Sequence, residues 1–170
     1  MSGDQRYGVV TEGPGGARRL QFRRSWPDPI ADVWAALTEP ERLARWIGTY
    51  DGERGAGGAG TFTMTQEAEP VGEAMVIVEC EPPRRLVVEW TAEEHWRVEL
   101  DLDVEDGRTV LVFTQAFATA DAVGDVATGW HWYLEKFEAE LTGGQQPADW
   151  DAFLADVGPG YTRPEPGSTL

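Results

Sequence analysis

Between Thr61 and Phe117 the chain divides into five short runs, TFTMTQEA, GEAMVIVECE, RRLVVEWTA, HWRVELDLDVE and RTVLVFTQAF. Glu69-Pro70, Pro82-Pro83, Glu93-Glu94 and Asp106-Gly107 separate them. Connections this short join only antiparallel neighbours, because a parallel pair needs a crossover of a dozen residues or more. The runs therefore predict a meander. In HWRVELDLDVE, Trp96, Val98, Leu100, Leu102 and Val104 point one way and Arg97, Glu99, Asp101 and Asp103 the other. Such a sheet has one dry face and one wet face, and the dry face has to be covered.

The cover is the last long helical segment, expected over roughly 120–142. Val123, Val126, Trp130, Leu134, Phe137 and Leu141 recur there at gaps of three and four and form one stripe. Gly143-Gly144 ends it. Trp132 lies about 200° round the helix from Trp130, off the stripe. An exposed tryptophan there needs a cover, either the chain's own tail with Trp150 and Phe153 or a second subunit.

Upstream, RRLQFRRSW alternates, with Leu20, Phe22, Arg24 and Trp26 on one side, and predicts a half-buried first strand. Ile30, Val33, Trp34 and Leu37 then give a helical stripe, with Asp28 the expected cap and Pro29 in the first turn. Thr38 is expected to cap a second short helix carrying Leu43, Trp46 and Ile47. DGERGAGGAG reads as a glycine-rich loop, since it lacks the Lys and Ser or Thr of a phosphate loop. Residues 1–17 read as a flexible lead or an edge strand, 18–144 as the domain, and 145–170 as a tail. The tail starts with a packed helical turn or two and is disordered from about Arg163.

The chain has 170 residues and a formal charge of −16. That charge and the lack of a basic run argue against nucleic acid as a partner. No apolar run is long enough to cross a bilayer, and no apolar leader opens the chain, so the cytoplasm is the default location. Cys80 is the single cysteine, which excludes an internal disulfide and reads as a small buried residue.

The order strand, two short helices, glycine-rich loop, meander, long helix is that of the α+β helix-grip (START-like, Bet v-like) architecture. DPIADVWAALTEPERLARWIG, GEAMVIVECEPPRRLVVEW and the Gly-Trp start of the last helix resemble one branch of it. That branch is the homologues of the activator of the heat-shock protein 90 ATPase, within the SRPBCC superfamily. The resemblance runs over roughly 18–142. It implies a curved antiparallel sheet wrapped around the C-terminal helix, and in many members a cavity between the two for an apolar molecule. The eukaryotic activator has a further N-terminal domain that grips the chaperone, for which this chain leaves no room.

An apolar ligand cavity would be lined by Trp130, Leu134 and Phe137 from the helix. Met64, Val76, Val78, Val88, Trp90, Trp96, Val98 and Val112 would line it from the sheet, with one residue of register open. Periodicity does not distinguish a lined cavity from a filled core. His131 and Tyr133 are expected at its rim. His95 has no metal-ligand spacing around it, and no nucleophile has a base at a recognised spacing, so neither metal, cofactor nor catalytic residues are expected. Glu79, Glu89 and Glu99 are expected to face water, while the directions of Glu73 and Gln115 stay open. Three readings follow. The first is a cytoplasmic binding protein, monomer or homodimer, for a small apolar or aromatic ligand. The second is a protein-interaction or co-chaperone-like module, and the third a cyclase-like or dehydratase-like enzyme.

Overall fold

The computed structural model describes residues 7–65, 69–91, 96–119, 123–147 and 149–162. The strands are β1 (Val9–Glu12), β2 (Arg18–Trp26), β3 (Thr49–Gly52), β4 (Ala59–Thr63), β5 (Gly72–Glu81), β6 (Arg85–Trp90), β7 (Trp96–Glu105) and β8 (Arg108–Phe117). The helices are α1 (Ile30–Thr38), α2 (Pro40–Trp46), α3 (Val123–Thr142) and α4 (Trp150–Thr162). All strands pair antiparallel in one sheet of order β1-β2-β8-β7-β6-β5-β4-β3.

The meander lies where alternation places it. Its β7–β8 hairpin turns on Asp106 and Gly107, with φ of 51° and 77°, so Glu105 meets Arg108. Both central residues at positive φ match the twist of the flanking strands, which is why Asp-Gly stands there. One strand appears beyond those expected. The N-terminal lead takes its edge-strand alternative, as β1 on β2, while the unexpected β3 runs from Thr49 into the glycine-rich stretch, which also holds the start of β4. Gly52 and Gly60 pair directly across that hairpin, and a Cβ on either would collide with the opposing backbone.

The helix starts differ from expectation. Pro29 rather than Asp28 is the N-cap of α1, and Glu39 rather than Thr38 that of α2, neither with a side-chain cap bond. Thr38 Oγ1 instead donates back to the carbonyl oxygen of Trp34 at 2.8 Å. Ending α1 with its own hydroxyl leaves Thr38 unable to start α2. Arg42 ties the three helices together, donating to Asp32 of α1 at 2.9 Å and Glu140 of α3 at 3.1 Å.

The dry sheet face and the α3 stripe form the core. Phe137 is fully buried between the indoles of Trp26 and Trp46, at centroid distances of 5.5 and 5.0 Å. Both indole N–H groups are used, Trp26 Nε1 on Glu138 at 3.0 Å and Trp46 Nε1 on the carbonyl of Ala36 at 2.9 Å. The wet face has Arg85 on Glu79 and Asp101, and Arg97 on Glu89 and Glu99, at 2.8–3.1 Å. This lattice completely covers Val87 beneath it. The aliphatic stems of arginine shield an apolar residue while the guanidinium stays wet.

The tail folds back as a helix longer than the turn or two expected. Trp150 and Phe153 meet Trp132 edge-on, at 5.4 and 5.2 Å, so the chain covers its own tryptophan. The helix continues through Gly158, Pro159 and Gly160, a sequence that signals a stop. Tertiary contacts hold it. The Tyr161 hydroxyl accepts from the Gly8 amide at 2.7 Å and shares a 2.8 Å hydrogen bond with His131 Nδ1. A side chain at Gly160 would collide with the Tyr7 ring.

Two outcomes follow. Truncating Phe153 to Ala exposes Trp132 and is expected to destabilise the chain by about 3 kcal/mol. Tm should fall by roughly 6–12 °C; an unchanged Tm would show that α4 does not cover α3 in solution. On the wet face, burial alone would raise the Glu99 carboxyl, but hydrogen bonds from Arg97 and Arg85 outweigh it and hold it below its ordinary value. The stabilisation is then full above the unfolded pKa of about 4.3 and lost as pH falls through the lower folded one. Glu99→Gln should cost stability at pH 7 and narrow the gap to wild type by about pH 3, read as urea midpoints. A constant gap across that range would refute it.

Candidate functional site

Between Phe137 at one end of the grip and Trp130 at the other, the sheet and helices do not meet. Trp130 packs on Phe113 at a centroid distance of 4.8 Å, and its Nε1 donates to Gln115 Oε1 at 2.8 Å. Leu134 lies between Trp130 and Phe137 on the same helix face and borders an open space of about 290 Å³. Genuine ligand cavities run from roughly 300 to 1,000 Å³, so this one sits at the small end.

Each wall comes from a different element. Trp34 and Leu37 of α1, with Leu43, Trp46 and Ile47 after them, close one side. Phe62 of β4, Met75, Ile77 and Cys80 of β5, and Leu86, Val88 and Trp90 of β6 form the floor. Val98 and Leu100 of β7 and Leu111 and Phe113 of β8 continue it under Trp130 and Leu134. Polar groups of the lining gather on β3 and the β3–β4 loop, where Arg54 bonds to Thr38 and Tyr50 bonds to Glu53, with Gly55 next in the chain after Arg54. Arg54 and Pro82 are exposed, which marks the mouth there.

The mouth is built on the glycine-rich loop. Gly55 and Gly57 adopt φ of 93° and 86°, a region only glycine enters at little cost. Gly57 N–H donates to the Ile77 carbonyl at 2.7 Å, and Ile77 N–H to the Gly58 carbonyl at 2.8 Å. The loop is thus pinned to β5. Tyr50 donates to the Glu53 carbonyl at 2.6 Å. Burial raises the phenol above its ordinary pKa, the charges of Glu53 and Asp51 add to that, and Arg54 opposes it. Tyr50 is therefore a neutral hydroxyl at physiological pH.

The residues expected to line a cavity divide. Trp130, Leu134, Val88, Trp90 and Val98 border it. Phe137 is beyond it, filling the gap between Trp26 and Trp46. Met64 falls just after β4, and Phe62 takes the place expected of it. Trp96 is opposite Trp90 and packs edge-on against it at 6.4 Å without reaching the cavity. Val76 and Val112 are on the wet face, opposite Glu89 and Asp101, while Val78 occupies a β-bulge between Ile77 and Glu79. The inward positions of β5 are Met75, Ile77 and Cys80. MVIV is apolar throughout, so a period of two cannot pick its buried face, and the bulge then shifts the phase.

His131 corrects the rim assignment. It is 3% exposed, beneath α4 rather than at the cavity mouth, with Nε2 3.5 Å from Glu135 and the rings of Tyr7, Phe22 and Phe153 around it. Tyr133 is buried beside Trp130 at 6.1 Å and does not line the cavity. Glu79, Glu89 and Glu99 belong to the ion lattice of the wet face. Gln115 faces inward and is 1% exposed; its Nε2 has no hydrogen-bond partner among the described residues. His95 lies outside the described residues, as do Glu93 and Glu94. Among the described residues no group of three or more His, Cys, Asp or Glu side chains is arranged to hold a metal, and no helix is long and apolar enough to cross a membrane.

Solved structures share this architecture. CalU16 from Micromonospora echinospora is 27% identical, with a TM-score of 0.72 over 91% of this chain and 93% of that one. The protein encoded by gene BPP1335 from Bordetella parapertussis is 26% identical, with a TM-score of 0.73 over 92% and 91%. A Rhodobacter sphaeroides protein is 28% identical, with a TM-score of 0.60 over 88% and 99%. No curated protein matches the chain. Residues 28–142, from the turn before α1 to the end of α3, match the family described as Activator of Hsp90 ATPase homolog 1-like protein. This helix-grip chain belongs to that family.

Proposed function

We propose that the chain is a binding protein for a small apolar or aromatic molecule, held between α3, the α1–α2 pair and the sheet. The observation that carries this reading is the 290 Å³ space with an almost wholly apolar wall and its few polar groups collected at one mouth. A cavity of about 150 Å³ lined by Leu, Ile and Phe takes benzene. Twice that volume suits one or two fused rings or a short aliphatic chain. The four indoles of Trp34, Trp46, Trp90 and Trp130 offer broad contact area and edges for stacking.

Among the described residues the lining has no histidine and no carboxylate, which favours binding over the cyclase-like reading. Acid–base chemistry needs such a group within reach of its proton. The protein-partner reading draws on Trp150 and Leu154 of α4, each about 40% exposed. The proposed protein acts as a monomer in the cytoplasm, because α4 already covers the apolar flank of α3.

A thermal-shift screen of one- and two-ring aromatics, fatty acids and steroids tests it. A ligand at a hundred times its Kd adds about 2.7 kcal/mol, so Tm should rise by roughly 5–10 °C. Steroids should fail for size. Leu100→Phe puts its extra bulk into the void rather than into packed core. It should leave Tm within about 2 °C, since no neighbour is displaced, and weaken any hit at least tenfold. A screen without a hit, or a hit indifferent to Leu100→Phe, would refute the proposal.

A further inference from the structure

Among the described residues one charged side chain belongs to the cavity lining, and it stands at the mouth. Arg54 leaves the β3–β4 loop and donates from Nη2 to the carbonyl oxygen of Thr38, the last residue of α1, at 2.6 Å. That bond, reinforced by the negative end of the α1 dipole, fixes the guanidinium over the opening. The loop beneath is itself held to β5 through Gly57, Gly58 and Ile77. Arg54 therefore has a set position although its side chain is exposed.

Its partners set it apart from the arginines of the ion pairs, and it shares with Arg18 and Arg108 a bond to oxygens that are not carboxylates; what distinguishes it is its place in the cavity lining. Arg23, Arg42, Arg45, Arg84, Arg85 and Arg97 each meet a carboxylate within 3.3 Å. Among the described residues Arg54 meets none, in a chain with 30 acidic and 14 basic residues. Asp51 and Glu53 flank the same loop without pairing to it. A guanidinium has five N–H donors, and the Thr38 carbonyl takes one. The rest stand beside an apolar space, where the polar end of a bound molecule would emerge.

We infer that the cavity takes a monoanionic amphiphile: an aromatic or short aliphatic body among Trp46, Trp90 and Trp130, with a carboxylate on Arg54. This rests on the ligand-binding reading above. A neutral hydrocarbon would leave the cation unanswered, and a phosphate dianion would call for more than one. Arginine matches a carboxylate in geometry, with two parallel N–H···O bonds. The net charge of −16 disfavours anions at long range, but salt screens that field beyond about 8 Å at physiological strength.

Two probes with one ring system separate the possibilities. 2-Naphthoate and 2-naphthylmethanol are titrated at pH 7.5 and physiological salt against the whole chain, following tryptophan fluorescence. Wild type should bind the acid about five- to tenfold more tightly than the alcohol, the size of one partly screened charge-assisted bond. Arg54→Met, which keeps the aliphatic stem, should bring the acid to within twofold of the alcohol, while Arg54→Lys should retain most of the preference. Both probes binding wild type equally would overturn the assignment and leave the apolar cavity standing. An acid preference that survives Arg54→Met would overturn it too. If neither probe binds, the inference fails together with the binding reading.

Discussion

Everything in this molecule is arranged around one long helix seated in a sheet that curves away from it. A straight rod and a concave surface touch at the ends and part in the middle. Here the two contacts are aromatic: Phe137 wedged between Trp26 and Trp46, and Trp130 resting on Phe113 with its indole N–H held by Gln115. Leu134, between them, is too short to bridge the remaining gap. The interior space is thus a consequence of where large side chains stand on α3, and helices α1 and α2 close its open side.

Charge is sorted across the same sheet. The Arg85 and Arg97 lattice occupies the wet face, where each guanidinium answers three carboxylates. Exposed pairs like these add little one at a time, but a lattice over Val87 also keeps an apolar residue out of water. Among the described residues the dry side has one buried arginine, Arg24, 3.4 Å from Glu135 on α3 and away from the cavity. Inside the cavity wall, charge is confined to the mouth.

Much of the architecture is legible in the residues, and the lapses have physical causes. Period-two alternation places β7, and gaps of three and four place the α3 stripe, because each pattern has polar residues to contrast with. MVIV in β5 and TVLVF in β8 have no such contrast, so Val76 and Val112 look equivalent to Met75, Ile77, Leu111 and Phe113. A bulge is invisible to any fixed period. The wall from α1 and α2 reads as ordinary packing, since Trp34 and Trp46 lie on stripes that any core helix would show. Gly158-Pro159-Gly160 argues locally for an end to α4, and only the distant partners Gly8, Tyr7 and His131 explain why the helix goes on.

That last contact changes the meaning of the aromatic run Trp130-His131-Trp132-Tyr133. Successive residues on a helix point about 100° apart, so four in a row cannot serve one surface. Trp130 faces the sheet and the cavity, while His131 and Trp132 face the tail. With α4 in place, His131 is enclosed by Tyr7, Phe22, Phe153 and Tyr161, drawn from the N-terminus, β2 and α4. The N-terminal residues and α4 therefore close over the back of α3 at one shared point, the Tyr161 hydroxyl. Loosening α4 would loosen the support behind Trp130, since both press on the same two turns of α3. The cavity wall is held from behind by segments that never touch it.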